Sequence, residues 1–160
     1  MVKDDWRYPL NFLFMVDFQW GSEHASASFI EVSGLKVSLP DDRVREKIRI
    51  ESSKESTAQK ETGGIPAGAD TKLTLKRPLE PVDEKITHWV NRCMMFIGGE
   101  QIQPGQLIVK LVNTHHEVTA AWLCSNAYPV DWELSSLDAK DSRLAIETLT
   151  LMYASLKRIQ

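Results

Sequence analysis

The sequence predicts a mainly β domain: an antiparallel barrel or sandwich with a single flanking helix. Three observations carry this. Period-two alternation of apolar residues recurs along most of the chain. One segment alone, about residues 82–97, switches to helical spacing. β-branched and aromatic residues are concentrated in the alternating stretches, as strands require. With 160 residues, 42% of them apolar, the chain can fill one core, so residues 1–160 are expected to form one domain.

The elements follow in order. In Asn11–Phe18, Phe12, Phe14, Val16 and Phe18 fall on one face of a strand. Ala25–Val32 reads as its partner, and Ser33-Gly34 offers a bend before Leu35–Leu39. Leu73 and Leu75 alternate with Lys72, Thr74 and Lys76, giving a half-buried strand with a polar outer face. Gln106–Val112 and Glu117–Cys124 suit a hairpin around Asn113–His116. Tyr128–Leu134 and a long strand in Arg143–Leu156, with an edge open to pairing, complete the β set.

The helical stripe runs through Val82, Ile86, Trp89, Val90, Cys93 and Ile97. Pro81 and Asp83 suit a first turn, and Gly98-Gly99 suits a C-terminal stop. Such a helix must lay its stripe against the sheet.

Asp41–Glu61 differs from everything around it. Of its 21 residues 12 are charged, six acids and six bases, so it has little to add to a core. In extended form Arg43, Arg45, Lys47 and Arg49 share one face, and Val44, Glu46, Ile48 and Ile50 the other. With the Gly- and Pro-containing return through Gly68, residues 40–68 read as a charged arm, Lys54 included, projecting from the domain.

Bulk properties narrow the function. A net charge of −3 argues against capture of nucleic acid over the whole surface. No apolar run approaches membrane-spanning length, and the N-terminus lacks a secretory core, so synthesis in the cytoplasm is expected. The two cysteines, Cys93 and Cys124, sit among apolar residues and read as reduced core thiols.

Catalytic patterns are missing where they would be sought. His115-His116 are adjacent, so on a strand they point to opposite faces and chelate one ion poorly; in a turn both are solvated. His24 and His88 have no ligand cluster at metal spacing. Asp138, Asp141 and Glu147 read as two loop acids and one acid on a sheet face, not as a catalytic set. Neither a nucleophile-elbow nor a phosphate-loop motif occurs. Trp122, Trp132 and the Met94-Met95 pair are best explained as core packing. No enzyme, cofactor or metal site is expected.

Taken with their joining motifs, these elements resemble a known family. Leu10-Asn-Phe-Leu-Phe-Met-Val16, Phe29-Ile-Glu-Val-Ser-Gly-Leu35 and Leu73-Thr-Leu-Lys-Arg77 come first. The Trp89 helix, Asn126-Ala-Tyr-Pro-Val-Asp-Trp132, Leu137-Asp-Ala139 and Ala145-Ile-Glu-Thr-Leu-Thr-Leu151 follow. In this order they resemble the tail tube proteins of contractile phages. That family includes the inner-tube and tube-initiator proteins of extracellular contractile injection systems, and it is similar in fold to the secretion tube protein Hcp.

The resemblance implies a structural subunit that forms a homo-hexameric ring around a lumen. Rings stack into a tube that contacts sheath, baseplate and spike hub, and cargo or DNA passes through. It implies stacking through the arm (Arg43, Arg45, Lys47, Arg49, Lys54) and a lumen faced by residues such as Lys72, Thr74, Lys76, Thr148 and Thr150. A soluble ring-forming effector carrier of the Hcp type is the alternative. Two departures bear on position along the tube: Pro78 follows Arg77 where the family usually has Gly, and Arg43–Lys54 lacks the usual Tyr and paired glycines.

Overall fold

The computed structural model describes residues 13–37, 65–66, 71–95, 103–140 and 143–160. The charged arm, including Arg43, Arg45, Lys47, Arg49 and Lys54, therefore lies outside the described residues, as do Phe12, Ile97 and Asp141.

Among the described residues, nine strands and one helix follow in the order β1 (Leu13–Trp20), β2 (Glu23–Phe29), β3 (Glu31–Ser33), β4 (Ile65–Pro66), β5 (Lys72–Pro78), α1 (Lys85–Met94), β6 (Gly105–Val112), β7 (Val118–Leu134), β8 (Ile146–Met152) and β9 (Ser155–Arg158). All pairings are antiparallel, along the path β2-β1-β6-β7-β8-β5-β3, with β9 joining β7 to β4. The path does not close: β2 and β3 stand at its two ends. Of the barrel and the sandwich, the chain adopts an open sheet folded over on itself.

β7 makes the fold. Its first half pairs with β6 on one edge and β9 on the other, whereas Tyr128–Leu134 pairs with β8. The two stretches expected as separate strands, Glu117–Cys124 and Tyr128–Leu134, are thus one bent strand. Asn126, at φ 51°, sits between them, and register shifts near Gly105 and Pro129 flank the change of partner.

Elsewhere single expected strands divide. Ala25–Val32 splits at Ile30 into β2 and β3, so it pairs with β1 in one half of the sheet and with β5 in the other. Arg143–Leu156 becomes β8 and β9. β8 is also no edge strand, because β5 and β7 flank it on both sides. Leu35–Val37 carries no strand.

Helix α1 is shorter than its stripe. Glu84 caps its N-terminus, accepting from the backbone N–H groups of Ile86 (3.1 Å) and Thr87 (2.9 Å). Ile86, Trp89, Val90 and Cys93 are buried, but Val82 precedes the helix and is exposed. Met94 and Met95 are exposed too, and so do not fill the core. Trp89 stacks on Trp20 (centroids 5.4 Å apart) and meets Phe18 edge-on at 6.0 Å, which pins the helix against β1. Phe18, Phe29, Leu73, Leu75, Leu107, Val109, Cys124 and Leu151 complete the core.

Candidate functional site

Each half of the folded sheet turns one face to the core and leaves the other polar. On β5, Leu73, Leu75 and Arg77 point inward, so Lys72, Thr74 and Lys76 share the outer face. β8 matches it: Thr74 stands opposite Thr150, and Lys76 opposite Thr148. The five sequence-predicted lumen residues are therefore neighbours on one face. Register adds Asp131 opposite Thr150, Glu133 opposite Thr148, and Glu31 opposite Lys76. Lys76 Nζ pairs with Glu31 at 3.1 Å, so this face carries both charge signs.

The other half presents a second polar face, which the sequence reading did not single out. Asp17, Gln19, His24, Ser26, Gln106 and Ser125 line a cavity of about 520 Å³ on it. Burial would raise the Asp17 carboxyl, but hydrogen bonds from Lys110 and Ser26 outweigh it and hold its pKa below the ordinary value. Alternation along β1 and β2 could have signalled this face: Ser26, Ser28, Asp17 and Gln19 all sit at outward parity.

Between α1 and the sheet lies a groove of about 220 Å³. Leu79, Val82, Val90, Trp132 and Leu149 form its walls, and the Arg77–Glu147 pair lies at its base. Glu147 lies on a sheet face, as expected, and that face is the buried one. Arg77 Nε donates to Glu147, while its Nη2 donates to Glu84 (3.0 Å) and Thr87 (3.1 Å). Trp132, expected in the core, is 42% exposed and donates its indole N–H to Glu147 at 3.1 Å. Burial would raise the Glu84 carboxyl too; the backbone N–H groups of Thr87 and Ile86, with Arg77, more than offset it. A signal for this network existed: Arg77 and Glu147 each continue the inward parity of an apolar strand.

The remaining candidates are dispersed. His24, His88, His115 and His116 are all exposed, and His116 has φ 62° in the turn after β6. Asp138 is exposed and accepts from the Lys140 backbone N–H. Trp122 is half-buried, with the Arg158 guanidinium 6.0 Å from its ring centre. Cys93 and Cys124 are buried free thiols. Among the described residues, no group of three or more His, Cys, Asp or Glu could hold a metal ion, and no helix is long and apolar enough to cross a membrane.

Pro78, the residue that departs from the family pattern, ends β5 opposite Ile146. Its missing N–H does not stop the ladder outright, since Leu79 N–H still reaches Ala145 O at 3.0 Å.

The described residues thus form an open, folded-over antiparallel sheet with a helix against it and polar outer faces. The chain belongs to the family of the T4-like virus tail tube protein gp19, whose model matches residues 10–157. Solved structures share the fold. A chain of the anti-feeding prophage baseplate, 6-fold symmetrised, superposes with TM-score 0.64 at 19% identity, covering 96% of each chain. A chain of the sheath-tube complex of the extracellular contractile injection system PVC gives 0.61 at 22% identity, covering 97% of this chain and 93% of that one. An Hcp protein gives 0.51 at 10% identity, covering 92% and 96%. No curated protein matches the sequence.

Proposed function

We propose that this chain is a structural, non-enzymatic subunit of the inner tube of a contractile tail or injection system, assembling as six-membered rings around a lumen. The observation that carries this reading is the open sheet. Both terminal strands of the path, β2 and β3, keep an edge without a partner strand among the described residues. A hydrogen-bonding edge of this kind is an aggregation hazard in a monomer and is managed by pairing with a copy in a closed ring. Family membership and fold neighbours from sheath-tube and 6-fold baseplate assemblies support the same arrangement, with sheath and baseplate as partners.

In this ring the face of Lys72, Thr74, Lys76, Thr148 and Thr150 borders the lumen. Hydroxyls and paired charges hydrate such a wall without strongly retaining cargo of either sign. The arm of Arg43, Arg45, Lys47, Arg49 and Lys54 joins one ring to the next.

Negative-stain microscopy of the purified protein, alone at high concentration and on a baseplate template, tests the reading. Rings with six-fold symmetry and a central lumen are expected. Monomers alone under all these conditions, by microscopy and light scattering, overturn it.

A further inference from the structure

We infer that the groove beside α1 is the socket for Ile30 of a second copy, filled when that copy lays its β3 edge along the second half of β7. This rests on the ring reading above and adds the surface that receives the neighbouring subunit.

β7 carries a third open edge. Up to Ala127 it has β6 on one side, and up to Ser125 it has β9 on the other, but Tyr128–Leu134 pairs with β8 alone. β8 runs on into β9 through Ala154, whose N–H donates to Ser125 O at 2.9 Å, so β8 and β9 follow the same edge of β7. The edge that β6 covers in the first half is therefore without a partner strand over 128–134, among the described residues. Asp131, Trp132 and Glu133 are exposed in succession there, whereas a strand covered on both sides alternates.

The groove reaches this edge. Trp132, opposite the buried Leu149, forms one wall, and Val90 and Asn91 of α1 stand in another. One more strand beside β7 turns its inward side chains into that space. Val82 is 72% exposed, Leu79 47% and Trp132 42%, so an isolated subunit leaves the walls as an apolar patch in water.

The complementary surface lies on the other side of the same half of the sheet, whose order is β7-β8-β5-β3. Ile30 directly precedes β3 and is 56% exposed, although its N–H is tied to Lys76 O at 2.8 Å. Its neighbours do not offer the same side chain, since Phe29 is buried and Val32 half-buried. A groove of about 220 Å³ has room for one branched aliphatic side chain. Strand direction agrees. Three successive antiparallel pairings leave β3 running opposite to the second half of β7. A copy related by rotation about a ring axis therefore brings its β3 antiparallel to this edge, as in every other pairing of the sheet. The two surfaces differ, so the contact is heterologous and closes into a ring where the rotation closes.

Cysteine cross-linking of the full-length protein tests this. Chains carrying Ile30→Cys are mixed with chains carrying Asn91→Cys, an exposed position in the groove wall, and oxidised with copper phenanthroline; the native thiols are buried. The expected product is a covalent mixed dimer. It should be absent from either variant alone and from Ile30→Cys mixed with His115→Cys, in the exposed turn after β6. Rings by microscopy without that dimer, or with equal linkage to His115→Cys, overturn the socket and leave the ring reading standing. A dimer of Asn91→Cys alone, formed in rings, means that groove faces groove and likewise overturns it. Neither rings nor dimers overturns both readings.

Discussion

Arg77 and Glu147 are register partners across the β5–β8 ladder, and their side chains form an ion pair with only 5% and 6% of their surface exposed. Such a pair gains stability only when every remaining polar atom is satisfied. Here Glu84, Thr87 and Trp132 complete it, and the Arg77 guanidinium also lies 5.4 Å from the Phe29 ring centre. One network therefore ties the capping residue of α1, both central strands of one sheet half and the start of the core.

Breaking this pair from one side leaves a buried charge unmatched. Arg77→Leu and Glu147→Leu should each destabilise the domain by about 3–5 kcal/mol in denaturant unfolding. The double variant should lose clearly less than the sum of the two, because the partners share one network. Additive losses would show that the pair is not coupled.

Acid should loosen the helix first. The Glu84 carboxyl is held below its ordinary value of 4.5 in the folded state, so the folded protein binds that proton less readily than the unfolded chain. Its contribution is complete above about pH 4.5 and is lost as pH falls through the lower folded value. Glu84→Gln should flatten the stability profile below pH 4.5 and also lower stability at neutral pH. An unchanged acid limb in that variant would assign acid sensitivity elsewhere, for example to Asp17.

The residues flanking the arm offer a second test of the fold. Gly34 has φ +92°, and a Cβ there would lie 1.9 Å from Lys72 O. Gly34→Ala should therefore cost more than the roughly 1 kcal/mol of an ordinary backbone substitution, since the β3–β5 approach must open. Tyr153→Phe, which strands Gly34 O and Lys36 N–H, should cost about 1–3 kcal/mol. Hydrogen exchange at the Lys36 amide should rise in both variants; protection unchanged from the parent would refute the anchoring role.

How much of this was legible in the sequence depends on what each residue touches. Strands and helix could be read because their periodicity reports burial locally, as in Leu73, Leu75, Leu149 and Leu151. Partner choice could not, because it is set by the bend at Asn126 and the break at Ile30, where no change of period is seen. Which face Glu147 takes was open to reading as well, because an acid at inward parity opposite Arg77 signals a buried pair. Trp132 has the composition of a core residue, and only its position at the exposed end of β7 turns it outward. The lumen candidates came together because alternation fixes a face. Nothing local distinguishes that face from the second polar one around Asp17 and Ser26.

That ambiguity is open to experiment in assembled tubes. Thr150→Cys should react readily with a small maleimide but slowly with one attached to a protein-sized carrier, because a carrier reaches the lumen only through the tube ends. Ser26→Cys, on the other polar face, should react with both. The reverse pattern would place the lumen against Asp17, Gln19 and Ser26 and move the site off Lys72, Thr74, Lys76, Thr148 and Thr150.

The last prediction concerns position in the machine. A bulk ring must stack on copies of itself at both faces, whereas a ring that starts the tube meets the baseplate hub on one side. The features that depart from the family pattern are Pro78 and the Arg/Lys-rich arm, while the strand motifs stay typical. Pro78 ends β5 at the mouth of the α1 groove, at the opposite end of the ladder from the residues flanking the arm. The arm is the segment proposed above to join one ring to the next, Pro78 lies at the far end of the ladder from the residues flanking it, and a changed stacking partner would alter such contact segments first. The chain is therefore expected as a ring close to the baseplate, present at one or a few rings per particle. Quantitative mass spectrometry of purified particles counts it against the sheath protein. A copy number that rises in proportion to tube length would identify it as the bulk tube subunit, and Pro78 as ordinary variation at a strand end.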